Sequence, residues 1–129
     1  VGTGSGYQAA VLSRLVEHVY TVEIVEPLAR SAARTLTDLG YENVTVRAGD
    51  GYAGWPEHAP FDIIVVTAAP DHLPQPLIDQ LAPGGRMVVP VGPPGAVQSL
   101  ELIEKGAGNE VSRRSITPVR FVPLTRDPN

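Results

Sequence analysis

The sequence predicts an α/β fold with a doubly wound, mostly parallel sheet. Short β-branched segments alternate with segments that have helical spacing of apolar residues, in the order strand–helix–strand–helix–strand. A glycine-rich turn at residues 2–6 stands directly before the first helix-like segment, as it does in nucleotide-binding α/β folds. The last third holds two strand-like segments around a Gly-Ala-Gly-Asn turn, which indicates an antiparallel pair. With 129 residues, we expect a single domain over 1–129.

The first half of the chain predicts two helices and two strands. Residues 7–17 have the apolar spacing of an amphipathic helix, and residues 19–25 are β-branched, as in a strand buried on both faces. Pro27 suits the first turn of a second helix, which Gly40 ends. We expect the apolar stripe of this helix to consist of Leu28, Ala32, Leu36 and Leu39. Residues 44–48 predict the next strand.

The second half predicts four further strands and one helix before the chain ends. Residues 61–67 form the most apolar strand, and a helix is expected over about 74–81. Pro-Gly-Gly at 83–85 predicts a turn into a strand at 86–91. The antiparallel pair is expected at 98–104 and 111–122.

Composition excludes several classes of function. The net charge of −4 provides no basic surface for nucleic acid, and the absence of Cys excludes disulfides and thiolate nucleophiles. Apolar runs stay far below the roughly 20 residues that span a bilayer, and residues 1–129 show no charged start followed by an apolar stretch that would predict a secretory signal. The three His residues lack ligand spacing, so we expect no metal site. We therefore expect a cytoplasmic monomer that binds neither nucleic acid nor membranes.

The start of the chain carries its own prediction. A glycine-rich turn of this kind normally follows a buried strand of about five residues, and only Val1 precedes the turn here. We expect the domain to be incomplete at its N-terminus, with the cut inside a central strand. The alternative is a flexible Gly/Ser tail of cloning origin.

The candidate ligand site lies where the predicted strands end. Ligands of open parallel sheets bind beyond the carboxyl ends of the strands, where the glycine turn, Glu23, residues 49–51 and residues 67–70 are expected. An acid 17 residues after Gly6 can accept hydrogen bonds from ribose hydroxyls. Tyr7 departs from the dinucleotide pattern G-x-G-x-x-G/A, and Gly-x-Gly-x-Gly is typical of S-adenosylmethionine-dependent methyltransferases. The alternatives are a solvated strand end for Glu23 and an ordinary Asp-Gly turn at Asp50.

Several segments together identify a family. They include Val-Gly-Thr-Gly-Ser-Gly-Tyr-Gln at 1–8, Gly-Asp-Gly-Tyr at 49–52, Thr-Ala-Ala-Pro at 67–70 and Pro-Val-Arg-Phe-Val-Pro-Leu-Thr at 118–125. Over essentially its whole length the chain resembles the protein-L-isoaspartate (D-aspartate) O-methyltransferases. The resemblance implies a Rossmann-like methyltransferase fold with S-adenosyl-L-methionine as cofactor. Glycine turns occur in many methyltransferases, whereas the last two segments are specific to this family.

The resemblance also implies roles for individual residues. The methionine part of the cofactor is expected to contact Gly2, Thr3, Gly4, Ser5 and Gly6. Glu23 is expected at the ribose, Asp50 and Gly51 at the adenine, and Thr67 and Ala68 at the methyl-transfer end. The peptide substrate is expected to lie along Val119, Arg120, Phe121 and Val122. The family's hydroxyl-bearing segment upstream of the glycine turn has no counterpart in this sequence.

The implied reaction transfers a methyl group to the free carboxylate of L-isoaspartyl and D-aspartyl residues in damaged proteins, which begins their repair. A carboxylate is ionised at pH 7 and needs no general base, in agreement with the residues present. Alignment of the reactants and exclusion of water can supply roughly 7–11 kcal/mol in well-oriented systems. Two alternatives stay open: a methyltransferase of the same fold with a small-molecule substrate, and an inactive cofactor-binding fragment.

Overall fold

A computed structural model describes residues 1–93 and 95–125. These residues form two compact units. The first unit is Gly2–Gly51, and the second consists of Val1 together with Tyr52–Thr125. The expectation of a single domain over 1–129 stays a prediction.

The first unit contains two helices and a pair of parallel strands. In chain order they are α1 (Tyr7–Ser13), β1 (Val19–Glu23), α2 (Glu26–Asp38) and β2 (Val44–Ala48). Val19 lies opposite Val44, and Glu23 lies opposite Ala48. Because the strands are parallel and in register, their carboxyl ends meet at one edge of the unit.

Helix α2 confirms the second predicted helix but buries a different face. Its buried residues are Ala29, Ala32 and Leu36, whereas Leu28 and Leu39 are exposed. The predicted stripe of 28, 32, 36 and 39 was therefore wrong at both ends. Residues 29, 32 and 36 share one face at helical spacing, and two small alanines allow close packing there.

Helix α1 ends at Ser13, four residues before the predicted boundary. The Asn43 side-chain amide lies at this end and donates to the Ser13 carbonyl at 2.7 Å and, over longer distances, to the Val16 and Glu17 carbonyls. A helix leaves its last carbonyls without intrahelical partners, so a side-chain donor stabilises the point where it stops. The helical pattern of residues 14–17 could not reveal a partner that lies 30 residues further along the chain.

The second unit contains one helix and a mixed four-stranded sheet. Two single-turn 3-10 helices cover Gly51–Ala53 and Pro56–His58, the first starting on the last residue of the other unit. The remaining elements are β3 (Phe61–Val65), α3 (Gln75–Asp79), β4 (Leu81–Val91), β5 (Gln98–Lys105) and β6 (Val111–Val119). The order is β3-β4-β5-β6, with β3 and β4 parallel and the other pairs antiparallel. The α/β class and the antiparallel C-terminal strands are thereby confirmed.

The core of the second unit packs α3 against the sheet. Its buried residues are Ile64, Val66, Leu77, Ile78, Leu81, Met87, Val89 and Ile103. Strand β6 stands at one end of the order, and its residues from Val111 to Pro118 are exposed. None of the helices within 1–93 and 95–125 is long and apolar enough to cross a membrane.

Strand boundaries differ from the prediction at several places, and β1 already ends at Glu23 rather than at the predicted residue 25. Strand β4 begins at Leu81, so the predicted turn at 83–85 lies inside a strand, beside an irregular register between Phe61 and Ile63. A Cβ on Gly85 would lie 2.8 Å from the Ala82 carbonyl oxygen, which explains the glycine there without a turn. Strands β3 and β6 end at Val65 and Val119, earlier than predicted, and the residues beyond them carry candidate site positions.

An ion pair between buried Glu101 and exposed Arg113 joins β5 to β6. Glu101 is 5% exposed, and its carboxylate accepts hydrogen bonds from Arg113 Nε at 2.7 Å and from Ser99 Oγ at 2.8 Å. Burial alone raises the pKa of Glu101, but the hydrogen bonds from Arg113 and Ser99 and the charge of Arg113 outweigh burial. The pKa of Glu101 is therefore lowered from its ordinary value.

We expect Glu101→Gln to lower the free energy of unfolding at pH 7 by about 1–2 kcal/mol, because hydrogen bonds to a charged group are lost. A lowered folded-state pKa means that the carboxylate stabilises the fold above the unfolded-state pKa of about 4.3, and this stabilisation is lost as pH falls through the folded value. Urea unfolding of both proteins at pH 7, 5 and 4 measures the difference, which should shrink at the acid end. Glu104→Gln, an exposed change on the same strand, serves as the control. A difference that is independent of pH would contradict the role of the charge.

Candidate functional site

The glycine turn of the first unit is an open loop at the start of α1. Gly4 and Gly6 have φ angles of 54° and 91°, in the left-handed region that glycine adopts without strain. The Gly2 N–H donates to the Val22 carbonyl at 2.9 Å, which fixes the start of the turn beside β1. A Cβ on Gly4 would meet no atom within 4 Å. The backbone at Gly4 is therefore open to a ligand.

Glu23, the last residue of β1, supports this turn. Its carboxylate Oε1 accepts the Gly4 N–H at 2.9 Å and its Oε2 accepts the Val25 N–H at 3.1 Å, while the residue is only 8% exposed. Sequence reasoning assigned this acid to a ribose and missed its contact with the turn. Each carboxylate oxygen can accept a second hydrogen bond, so the ribose assignment stays a prediction that the geometry permits.

The other turn residues have separate surroundings. Thr3 and Thr21 are both buried, and their hydroxyls form a 2.7 Å hydrogen bond, so the Thr3 side chain is engaged within the unit. A contribution of Thr3 to a ligand would come from its backbone. Ser5 is exposed, and its hydroxyl accepts the Tyr7 N–H at 3.4 Å at the start of α1.

Residues 49–51 complete this edge of the first unit. The Gly49 N–H donates to the Glu23 carbonyl oxygen at 3.0 Å, which places Asp50 and Gly51 just beyond it. Asp50 is half-buried and Gly51 is buried. The structure therefore brings together all three predicted cofactor segments: the glycine turn, the acid at the end of β1 and the acid after β2. An open glycine backbone beside the Glu23 carboxylate, with Asp50 at the same edge of the unit, fits a ligand rich in hydroxyl and amino donors, such as a nucleoside.

In the second unit, the predicted methyl-transfer residues lie in the segment after β3. The Thr67 backbone N–H and hydroxyl both donate to the Val1 carbonyl oxygen, at 3.1 and 2.8 Å. Ala68 and Ala69 are buried. Ala69 pairs with the chain after β6, because its N–H donates to the Val122 carbonyl at 2.7 Å and its carbonyl accepts the Leu124 N–H at 2.9 Å.

The predicted peptide-binding residues follow the end of β6. Val119 is the last strand residue and lies opposite Gln98. Both backbone groups of Phe121 are bound by the Gln98 side chain, with N···Oε1 at 2.7 Å and Nε2···O at 3.3 Å. Across the part of the chain that the structure describes, the backbone of Arg120 and the Val122 N–H form no hydrogen bond. The structure thus brings Val122 beside the segment that follows Thr67 and Ala68.

Sequence reasoning missed the side chains that hold these segments in place. Gln98 is 3% exposed, and no spacing in the sequence marks it. Buried Gln80 binds residues 53–55 in the same manner: its Oε1 accepts the Trp55 N–H and its Nε2 donates to the Ala53 carbonyl, both at 2.9 Å. A buried glutamine at a strand edge is a signal that sequence analysis could weigh, because its amide needs partners.

A surface chain of polar groups was missed as well. The Tyr52 hydroxyl is hydrogen-bonded to His72 Nε2, and His72 Nδ1 lies 2.5 Å from Asp71 Oδ1. These side chains link the first 3-10 turn of the unit to the loop after Ala69. No set of three or more His, Asp or Glu residues within 1–93 and 95–125 is arranged to hold a metal ion.

Comparison with known proteins identifies the family. The model of the family described as protein-L-isoaspartate(D-aspartate) O-methyltransferase matches residues 1–129. Protein-L-isoaspartate O-methyltransferase 2 of Syntrophobacter fumaroxidans is 62% identical over 125 residues, which are 97% of this chain and 51% of the relative. The enzyme of Gloeobacter violaceus is 60% identical over 127 residues, covering 98% of this chain and 62% of its own length. The chain thus spans about half to three fifths of these curated relatives.

Solved structures agree with the fold. A protein-L-isoaspartate O-methyltransferase structure superposes with a TM-score of 0.86 at 35% identity, over 96% of this chain and 40% of the other. A Plasmodium falciparum protein described by the same activity, solved with S-adenosyl-L-homocysteine, gives a TM-score of 0.79 at 26% identity, over 98% and 64% of the two chains. From the family match over its full length and these identities, the chain belongs to the protein-L-isoaspartate(D-aspartate) O-methyltransferase family.

Proposed function

We propose that this chain carries the cofactor-binding and peptide-binding parts of an S-adenosylmethionine-dependent methyltransferase that acts on isoaspartyl carboxylates in proteins. The observation that carries the proposal is the match of all 129 residues to this family. The geometry of each unit agrees with it. One gathers an open glycine turn and two acids. The other exposes two backbone groups, the Arg120 carbonyl and the Val122 N–H, that have no hydrogen-bond partner among the described residues.

The first unit is the proposed cofactor site. When bound, S-adenosylmethionine supplies an electrophilic methyl group on a positively charged sulfur. The Gly2, Gly4 and Gly6 backbone permits the approach of the methionine part. Glu23 accepts ribose hydroxyls while its two backbone bonds keep the carboxylate in place, and Asp50 accepts an adenine amino group.

The second unit is the proposed acceptor site. An isoaspartyl carboxylate is ionised at pH 7, so a residue that removes a proton is not required. The contribution of the chain is alignment of the acceptor and exclusion of water. Buried Ala68 and Ala69 provide a rigid apolar wall, and Ala69 is held by two backbone bonds to Val122 and Leu124.

Arg120 and Val122 are the proposed contacts for the substrate backbone. Ala69 forms hydrogen bonds with the Val122 carbonyl and with the Leu124 N–H, two groups that lie two residues apart. The Arg120 carbonyl and the Val122 N–H have the same spacing. An extended peptide residue can therefore pair with Arg120 and Val122 in the way that Ala69 pairs with the next two positions. Main-chain pairing tolerates many side chains, which suits an enzyme that meets damage in varied sequences.

We propose a cytoplasmic enzyme that works as a monomer, without nucleic acid or membrane partners. The net charge of −4 and the lack of any described helix long enough to span a bilayer support this setting.

Methyl transfer to peptides tests the function directly. We expect methyl-labelled S-adenosylmethionine to label a peptide with one isoaspartyl linkage and not its aspartyl twin, because the isoaspartyl residue presents a free α-carboxylate whereas the aspartyl residue presents its side-chain β-carboxylate. The chain should be assayed alone and also grafted into the Syntrophobacter fumaroxidans relative in place of the matched 125 residues. Equal labelling of the two peptides, or none from either protein despite S-adenosylhomocysteine binding, rules out the proposed substrate.

Glu23→Gln tests the cofactor site. We expect the Kd for S-adenosylhomocysteine to rise about 10- to 100-fold, because charged hydrogen bonds are worth roughly 1.5–3 kcal/mol and an amide nitrogen would oppose a backbone donor. Calorimetric titration measures the Kd, and thermal unfolding checks that the variant is folded. Glu26→Gln, an exposed acid at the start of α2 that pairs with Arg30, is the matched control. An unchanged Kd in Glu23→Gln would remove Glu23 from the site.

A further inference from the structure

Gln98 is the most thoroughly buried polar side chain near the peptide segment. It is 3% exposed, and both ends of its amide bind one residue, Phe121, through the backbone N–H at 2.7 Å and the carbonyl at 3.3 Å. Burying an amide is favourable only when its donor and acceptor are satisfied. Here both are satisfied by a segment that has left the sheet.

The Gln98 side chain takes the place of a strand beyond the end of β6. Gln98 is the first residue of β5 and lies opposite Val119, where the backbone ladder between β5 and β6 stops. Toward Phe121 its amide presents its acceptor oxygen and one of its two N–H donors, the same pair that a backbone residue offers in a ladder. Pairing is thereby extended from Val119 to Phe121 without further strand residues.

This arrangement determines which backbone groups remain open. Successive residues of an extended chain direct their N–H and C=O groups to opposite sides. With both groups of Phe121 turned toward Gln98, those of Arg120 and Val122 face the other side, where Ala69 binds the Val122 carbonyl. The Arg120 carbonyl and the Val122 N–H have no hydrogen-bond partner among the described residues. They are therefore available to pair with the backbone of an incoming peptide.

Gly92 holds the Gln98 side chain in this orientation. A Cβ on Gly92 would lie 2.8 Å from Gln98 Cγ, so the backbone at Gly92 packs directly on the glutamine. The Gly92 N–H donates to the Pro70 carbonyl at 2.9 Å, which fixes this backbone to the loop after Ala69. The glutamine therefore has a single packed position between Gly92 and Phe121.

We propose that Gln98 is a positioning residue for the peptide substrate: its side-chain amide holds Phe121 so that the Arg120 carbonyl and the Val122 N–H stay available to pair with the substrate backbone. This inference rests on the proposed function. Gln98 itself touches neither substrate nor cofactor. Its loss should therefore weaken peptide binding and leave the first unit's cofactor site unaffected.

Gln98→Met tests the inference, because methionine keeps the length of the side chain and removes both hydrogen bonds. We expect the KM for an isoaspartyl peptide to rise about tenfold, the expected effect of losing one to two hydrogen bonds that order the segment. The Kd for S-adenosylhomocysteine should stay within twofold of wild type. Gln75→Met, the same change at an exposed glutamine of α3, is the matched control and should behave as wild type.

Amide hydrogen exchange gives a readout that needs no activity. The Phe121 N–H should be protected in the wild-type chain and exchange at least tenfold faster in Gln98→Met. Gln98→Glu keeps an acceptor for this N–H and loses the donor, so it should restore most of the protection. If Gln98→Met fails to fold, Gly92→Ala displaces Gln98 from the opposite side and should raise both the exchange rate and the peptide KM.

The outcomes separate this inference from the proposed function. A wild-type enzyme without isoaspartyl methylation contradicts the proposed function, and an unprotected Phe121 N–H in that same protein contradicts the positioning of Phe121 by Gln98. In an active enzyme, an unchanged peptide KM in Gln98→Met overturns the inference. Equal losses of peptide and cofactor affinity also overturn it, because they would indicate general destabilisation.

Discussion

Buried backbone N–H and C=O groups beyond the ends of helices and strands still need hydrogen-bond partners. Both candidate sites depend on the side chains that supply these partners. Glu23 binds the N–H groups of Gly4 and Val25, and Gln98 binds both the N–H and the carbonyl of Phe121. Gln80 and Asn43 do the same for residues 53–55 and for the end of α1. In the described parts of the chain, no buried side-chain nitrogen or oxygen lacks a partner. Irregular segments are thus held by single polar side chains from distant positions.

This dependence explains which features the sequence could predict. Strand β2 at Val44–Ala48 and the gathering of residues 2–6, Glu23 and Asp50 follow from local pattern and from the parallel rule for strand ends. The early end of α1 could not be predicted from local pattern, because it depends on Asn43. The start of β4 at Leu81 could not be predicted either, because an irregular register beside Phe61 allows Pro-Gly-Gly to lie within a strand. Long-range partners of this kind leave no periodic signal.

The candidate site was predicted in part for the same reason. Sequence pattern and resemblance indicated Glu23 as a ligand residue, but its support of the glycine turn appears only in three dimensions. Because Glu23 would both support the glycine turn and bind the ligand, the shape of the turn depends on the charge of this carboxylate. Gln98 shows the opposite situation, since it lies outside every segment that carries the family resemblance yet sets the orientation of Phe121. Residues that orient a backbone are harder to recognise than residues that carry the chemistry.

Strand β6 has a consequence for self-association. An exposed edge strand can add the edge of another molecule and so begin aggregation. Here the strand carries Arg113 and Arg114, and Pro118 has no N–H to offer a further strand. Charge and proline thus discourage sheet extension along β6. Within residues 111–125, the open groups beyond β6 are the Arg120 carbonyl and the Val122 N–H, which can pair with one residue of a flexible peptide, whereas an intermolecular sheet needs a longer continuous edge.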